Sequence, residues 1–529
     1  GRITDNEIDG VTHGEDGGRT IFQLLLNSDG TFTFILTDQI DHPTHSVDNE
    51  TTNPSHTPGI FEETLNLDLS SAIDAHDVNG DHPIFPTNTF DMGVIDDTPI
   101  ANDTTPTTFE FVEGGEGSGT FIEVPVVLDD EDQAHGIQGG PGDDGSGTSV
   151  SGALDFRPGA DNYNSVVFGT DLTISATDGV NTTPVDHLQA IFVDADGIAH
   201  KEDVTITWTP DGSGGGTLTG SAADIPTVFT LTTDKFGDYT FTLDAPLSHP
   251  ITADPNAEGS TAFEDNLNIV FNYTVTDGDG DQATANLTIN VDDDVPTATD
   301  TVPGSFDGEE FFAAAPVADG GATANTGFTG IEGGNGDVPG TANTTSGFLN
   351  FAAGADGLSD LTFASLGGTA APFKAIYDVG SGVGAQETVT YQWDESTHTL
   401  TAVGDTSHNT VFTLHIDDLS TGHFTFELDS PLAHSDVDET GNISLVLPFT
   451  VTDGDGDQAA ANLTIQVNDD TPTLSLETTS STIVIHDETP SVQSADGATD
   501  VLGTTSIPFD GGSTTVSALF SGVGHKGSD

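Results

Sequence analysis

The sequence predicts an all-β protein built from tandem antiparallel β-sandwich modules with Ig-like packing, set in an elongated array. Three observations predict it. A long string recurs, as YTVTDGDGDQATANLTINVDDDVP at residues 273–296 and FTVTDGDGDQAAANLTIQVNDDTP at 449–472. Self-similarity at so long a period marks an array of like modules. Inside each copy, apolar residues alternate strictly with polar ones, which gives a strand one face to bury and one to hydrate. No stretch sustains a 3.6-residue apolar period with helix caps.

The elements follow in order. Leu267, Ile269, Phe271, Tyr273 and Val275 form one alternating row, and Ala283, Ala285, Leu287, Ile289 and Val291 form the next. The second copy keeps both rows, as Ile443, Leu445, Leu447, Phe449, Val451 and Ala459, Ala461, Leu463, Ile465, Val467. Thr, Val, Ile and Phe favour strands. Upstream, VFTLTTDKFGDYTFTLDAPLSHP (228–250) matches VFTLHIDDLSTGHFTFELDSPLAHS (411–435), with a third relative at 21–43. Each reads as strand, Asp/Gly turn, strand and polar loop. Trp208 and Trp393, the only tryptophans, fall at equivalent places before a hairpin turn. LDFRPGADNYNSVVF (154–168) matches LNFAAGADGLSDLTF (349–363).

Modules are expected to end at Asp-Asp-Xaa-Pro, because Pro after a strand stops the ladder. That motif closes at Pro99, Pro296 and Pro472. The expected division is therefore 1–99 as the C-terminal part of a module, 100–296 and 297–472 as complete modules, and 473–529 as the start of another. Gly-rich stretches at 138–147 and 319–340 read as loops or local linkers. Met92 is the only methionine and no leader is recognisable, so the chain is read as a segment of a repetitive protein.

Composition narrows the chemistry. There are 87 acidic and 7 basic residues, a formal charge of −80. Most of the acids are Asp, which suits turns and oxygen-ligand cation sites better than helical surfaces. A compact chain so charged repels itself unless cations neutralise it or high salt screens it. Nucleic acid and anionic membranes are excluded as partners, since binding them needs Lys and Arg. No apolar run reaches the roughly 18 residues of a membrane span. Cysteine is absent, so neither disulfides nor thiolates can staple the fold. A hydrophobic content of 34% argues against wholesale disorder.

The acids concentrate in patterned places. Asp277, Asp279 and Asp281 alternate through one DGDGDQ loop, and Asp453, Asp455 and Asp457 through the other. Alternate carboxylates in a tight Gly-containing loop can converge on one Ca²⁺, which takes six to eight oxygens. An EF-hand is rejected: its twelfth position is Thr288 or Thr464, and strands flank the loop. The plain alternative is a solvated acidic turn. A weaker copy is Asp77, Asn79, Asp81. A second candidate set lies at the strand ends: Asp292, Asp293, Asp294, with Asn468, Asp469, Asp470 and Asp96, Asp97. A cation there could stiffen the passage from one module to the next, as against an ordinary charged linker. The dense run Asp129, Asp130, Glu131, Asp132 and the pair Asp194, Asp196 read more readily as solvated faces. The 17 histidines show no ligand spacing and read as surface or turn residues. GGPGDD (139–144) matches the start of a calcium-binding nonapeptide, but a single copy predicts no β-roll. No Gly-x-Ser-x-Gly elbow or P-loop appears, and aromatics for a sugar cleft are few, so no enzyme is expected.

The strings VTDGDGDQATANLTINVDDDVP and VTDGDGDQAAANLTIQVNDDTP, with TFTLDAPLSH and TFELDSPLAH upstream, resemble the large all-β repeats of giant RTX-type, type I-secreted bacterial adhesins. They are more loosely similar to VCBS-type repeats. The resemblance covers about 100–472 and implies a secreted or surface-tethered stalk for attachment or biofilm formation, folding on extracellular Ca²⁺. Its implied partners are neighbouring modules of the same chain, with cell-surface glycans bound by regions outside it. A subunit of a self-assembling filament, sheath or S-layer, made of identical chains, is the alternative. A glycan-binding or glycan-cleaving extracellular protein is the third reading.

Overall fold

A computed structural model gives the fold. It describes residues 7–525 apart from 12–19, 28–30, 41, 43–63, 74–78, 82–85, 115–117, 139–144, 178–181, 250–265, 304–342, 380–383, 435–442, 469–472 and 479–519. The described elements are strands and three short 3₁₀ turns, as the alternation predicts. No helix among them is long and apolar enough to cross a membrane.

The chain divides into two compact units. Unit 1 takes Gly1–Pro296 together with Ala353–Ser359 and Thr452–Gln458. Unit 2 takes Thr297–Ala352, Asp360–Val451 and Ala459–Asp529.

Unit 1 contains a two-sheet sandwich. One sheet runs in the order Ser149–Ala153, Asp238–Leu243, Phe229–Thr233, Gly216–Ser221, Thr205–Pro210. The other runs Thr182–Val185, Tyr163–Thr177, Asn266–Asp277, Gln282–Asp292, Val127–Asp129. The pairings are antiparallel except the last, where Val127–Asp129 joins Gln282–Asp292 in parallel, setting Asp129 beside Asp292. Both inner faces merge into one core. Phe229 and Phe241 of the first sheet stack at 5.3 Å between centroids, and Phe271 of the second meets them edge-on or tilted at 5.6 and 5.8 Å. Such contacts add to the area that each ring removes from water.

The alternating rows fall as the sequence requires. Leu267, Ile269, Phe271, Tyr273 and Val275 are buried, and so are Ala283 to Val291 at every second residue. The register Phe271↔Leu287 and Ile269↔Ile289 locks the two rows face to face along the hairpin. A slip by one residue would turn every one of these side chains to solvent.

Unit 2 repeats the pattern. A six-stranded sheet runs Thr344–Phe348, His423–Leu428, Thr410–Asp418, Thr399–Gly404, Gly384–Asp394, Ala370–Asp378. A second sheet holds Leu358–Thr362, Ile443–Asp453 and Gln458–Val467, strands whose tips fall in the segments assigned to unit 1. Leu445, Leu447, Phe449, Val451, Ala461, Leu463, Ile465 and Val467 are buried. Trp393 packs on Phe363 at 5.9 Å, as Trp208 packs on Phe168 at 6.2 Å in unit 1. The matched tryptophans thus do the same job in both copies.

Phe271 is fully buried at the meeting of both sheets. Phe271→Ala is expected to destabilise unit 1 by about 3–5 kcal/mol through lost transfer energy plus a cavity. Urea unfolding followed by Trp208 fluorescence would measure it. A change under 1 kcal/mol would mean that the two sheets do not share this core.

Candidate metal centre

The alternation explains why acids are inside at all. In Asn266–Asp277 the inward row Phe271, Tyr273, Val275 continues at its next step to Asp277, which is fully buried. In Ile443–Asp453, Val451 is likewise followed by the buried Asp453. Beyond Gln282–Asp292, Val291 is followed by Asp293, again buried, and Val94 is followed by the buried Asp96. Strand geometry therefore drives these carboxylates inward at the end of the core, where hydration is lost.

Both loops fold alike. Asp277 Oδ1 accepts from the Gly280 and Asp281 amides at 3.1 and 2.8 Å, and Asp453 Oδ1 accepts from Gly456 and Asp457 at 2.9 and 2.8 Å. The Asp277 and Asp453 amides donate back to the Asp281 and Asp457 carbonyls, each at 3.1 Å. Asp281 and Asp457 thus close their loops through the backbone. One oxygen of each leading Asp is left over: Asp277 Oδ2 and Asp453 Oδ2 are buried without a hydrogen-bond partner.

A second loop meets each of these. Asp161 and Asp356, from the matched Gly-Ala-Asp segments, approach the leading acids. Asp161, Asp277 and Asp279 form one cluster with ligand atoms within 4.8 Å of one another, and Asp356, Asp453 and Asp455 form the equivalent. Both oxygens of Asp279, both of Asp356 and Oδ1 of Asp455 are buried and without hydrogen bonds. Glycine is required at the contact: a Cβ on Gly278 would lie 2.1 Å from the Asp161 carbonyl oxygen, and one on Gly454 2.3 Å from that of Asp356.

The strand-end acids complete the arrangement. Asp97 accepts from the Ala160 amide at 2.8 Å, and Asp294 accepts from the Ala355 amide, so each pins the Gly-Ala-Asp loop. Asp294 also accepts from the Ile137 amide at 3.2 Å. Asp292 accepts from the Gly145 amide at 3.2 Å. Asp96 and Asp293 turn inward instead. His42, Asp96 and Asp279 form a further cluster, and His249, Asp293 and Asp455 form its equivalent. Asp130 stands beside them, fully buried, with Oδ2 held by the Leu247 amide at 2.7 Å and Oδ1 without a hydrogen bond. The Lys201 ammonium donates to the Asp455 carbonyl at 2.9 Å.

Several readings of the sequence change here. The run Asp129–Asp132 is no solvated face: Asp129, Asp130 and Glu131 are buried, because the parallel pairing of Val127–Asp129 carries them to the site. His42 and His249 are not surface histidines but are 5% and 1% exposed, each at the clustered acids. Asp161 and Asp356 were not singled out, although the matched GAD in 154–168 and 349–363 carried the signal. Asp194 is a turn residue that accepts from the Asp196 and Ile198 amides and faces His200. Asn79 and Asp81 are exposed and lie in none of the clusters among the described residues. Asp77, Asp469, Asp470 and the GGPGDD segment lie outside the described residues, while Asn468 is buried. A half-exposed group of Asp360, Glu395 and His398 has no counterpart in the other repeat among the described residues.

Charge cannot accumulate here unaided. Burial, then neighbouring acids, push Asp277 up to about 7 and Asp161 up to about 6. Burial followed by repulsion from Asp455 pushes Asp453, Asp293 and Asp356 far above the ordinary carboxylate range. Without a cation the folded state must hold protons on these groups near neutrality. A divalent cation removes that need, and the donor set of converging carboxylate oxygens suits one.

The sequence profile of a family described as a domain of unknown function (DUF5801) matches residues 95–290. No curated protein matches. Among solved structures, PcdhgB3 EC1-4 is 11% identical with a TM-score of 0.16, covering 89% of this chain and 69% of its own. A tetra-tandem repeat from the extending region of a large adhesion protein is 13% identical, with a TM-score of 0.14 and coverages of 63% and 73%. The human desmocollin-1 ectodomain is 9% identical, with a TM-score of 0.09 and coverages of 74% and 84%.

Two outcomes follow, one for the metal-free chain and one for divalent binding. The acids have folded values raised above 3.8, so the folded state binds more protons than the unfolded one between those limits. Their contribution is present below about pH 4 and is lost as pH rises toward 7 and beyond. In chelator, unfolding midpoints should therefore fall from pH 5 to pH 8; a flat or rising profile would count against buried, uncompensated acids. Gly454→Ala should drive Asp356 and its loop away from Asp453 and weaken divalent binding at least tenfold by calorimetry. Unchanged binding would show that the loop contact is dispensable.

Proposed function

We propose that this chain is a calcium-stiffened structural repeat region of a secreted or surface-tethered bacterial adhesin, supporting attachment or biofilm formation. One observation carries the reading. The same cage of converging carboxylates occurs twice, half-buried at Asp161 and Asp279 and buried at Asp356, Asp453 and Asp455, each time built from a strand-end Asp pair, a Gly-Ala-Asp loop and a DGDGD loop. In the second cage, Asp293 comes from the repeat that ends at Pro296, whereas Asp356, Asp453 and Asp455 come from the repeat that follows. A cation held there ties consecutive repeats by its own coordination, a staple suited to a chain without cysteine. The resemblance of the DGDGD-to-DDxP strings to RTX-adhesin repeats supplies the setting.

Ca²⁺ is the ion that fits an all-oxygen cage at extracellular concentrations. Binding only to the folded state adds about 2.7 kcal/mol per site at a hundredfold excess over Kd. For a domain of this size that raises Tm by roughly 5–10 °C. The test is thermal unfolding of the whole chain in chelator, in Ca²⁺ and in Na⁺ at matched ionic strength. The expected result is a rise with Ca²⁺ alone, reduced in Asp277→Asn/Asp279→Asn and in Asp453→Asn/Asp455→Asn. Equal stabilisation by Na⁺ would make the acidity a matter of screening and sink the calcium reading. Sedimentation in Ca²⁺ should give a monomer; a polymer would favour a filament or surface-layer subunit instead.

A further inference from the structure

We infer that the cage at Asp293 holds a second cation position, adjacent to the all-carboxylate one, that selects a borderline divalent transition ion through a histidine nitrogen. This rests on the calcium reading of the carboxylate half and assigns the other half of the same cage.

The donors are His249 Nδ1, Asp293 and Asp455, whose ligand atoms lie within 4.8 Å of one another, all three residues buried. The first cage brings His42, Asp96 and Asp279 together, but there His42 Nδ1 lies 2.9 Å from the Ile40 carbonyl oxygen, which takes it out of the donor set. Asp455 belongs to both halves, so one carboxylate sits between the two positions.

The histidine is oriented for the task. His249 Nε2 lies 3.3 Å from the carbonyl oxygen of Val291, the residue two before the clustered Asp293. A carbonyl there fixes the proton on Nε2, which leaves Nδ1 as a lone pair. His249 Nδ1 has no hydrogen bond, although Asp293 Oδ1 is 3.1 Å away and Asp130 Oδ2 3.9 Å. A lone pair facing two carboxylates in a dry site is repulsive unless a proton or a metal ion stands between them. Asp455 is steadied by the His249 amide at 3.0 Å through Oδ2, and its Oδ1 is left free for the ion. A metal-bound histidine whose other nitrogen donates to a backbone carbonyl is the usual supporting arrangement.

The charge count agrees. Asp130, Asp293, Asp356, Asp453 and Asp455 converge with Asp457 close by, and the Lys201 ammonium reaches the Asp455 carbonyl. One divalent ion leaves most of that charge uncompensated. Imidazole nitrogen is a poor donor to Ca²⁺ and a good one to Zn²⁺ or Co²⁺, which separates the two positions by chemistry.

The test titrates Zn²⁺ into the whole chain saturated with Ca²⁺, with metal content read by elemental analysis after gel filtration. Zn²⁺ should be taken up with Ca²⁺ retained, and His249→Gln should remove about one Zn²⁺ while leaving Ca²⁺ content unchanged, whereas His42→Gln should leave Zn²⁺ uptake intact. Because His249 is buried, a second readout avoids reliance on a folded variant: Co²⁺ in the wild type should give d–d bands with intensity above that of the hexaaquo ion. Displacement of Ca²⁺ by Zn²⁺ one for one, undiminished Zn²⁺ uptake in His249→Gln, or an aquo-like Co²⁺ spectrum would each overturn the second position. Histidine-dependent Zn²⁺ uptake in a chain that ignores Ca²⁺ would keep this inference and sink the calcium reading.

Discussion

The arrangement depends on one constraint: carboxylates that the strand register forces inward must be neutralised where water cannot reach them. Asp277, Asp453 and Asp293 sit one step beyond the last apolar residue of an inward row, so the sandwich cannot bury Val275, Val451 and Val291 without presenting them. Burying an uncompensated charge costs several kcal/mol per ion, more than a domain's usual margin can absorb repeatedly. The chain has 7 basic residues in total, too few to pair with its acids. Protons or metal ions must therefore do the compensating.

That constraint orders the local geometry. The leading Asp of each DGDGD loop keeps one oxygen for the backbone and leaves the other toward the cluster. Asp97 and Asp294 use their carboxylates to hold the Gly-Ala-Asp loops, which bring Asp161 and Asp356 into place. Gly278 and Gly454 let the two loops touch at distances that no side chain would allow. Positioning and binding are thus divided among neighbouring acids. Asp293 and Asp294 are adjacent in sequence but face different partners, as expected of successive residues on an extended strand.

Period-two patterning made the strands and their buried faces legible, because it reports burial directly. The same pattern also contained the inward placement of Asp277 and Asp453, but an acid in an apolar register is easily read as the end of the strand. The loops that converge from elsewhere were less visible. Asp161 and Asp356 lie far from the acids they meet, and only the fold brings Tyr163–Thr177 against Asn266–Asp277. Asp130 arrives through a parallel edge pairing that no local signal announces. Histidine spacing failed for the same reason: His249 meets Asp455 across more than two hundred residues of sequence. Local composition therefore identified the DGDGD loops and missed their partners.

The distribution of donors across the sequence has a mechanical consequence. Asp130, His249 and Asp293 precede Pro296, whereas Asp356, Asp453 and Asp455 follow it. A cation coordinated by both groups couples its binding energy to the mutual placement of those segments, since the ligand set exists only when they are together. Linkage then works in both directions: ion binding favours the assembled arrangement, and strain that separates the segments weakens the ion. In a chain without cysteine, a joint made by an ion would be reversible and sensitive to the surrounding cation concentration. The first cage, with Asp96 before Pro99 and Asp161, Asp277 and Asp279 after it, places the same device one repeat earlier. The Asp-Asp-Xaa-Pro ends at Pro99 and Pro296 thus each meet a Gly-Ala-Asp loop and a DGDGD loop that follow them in sequence.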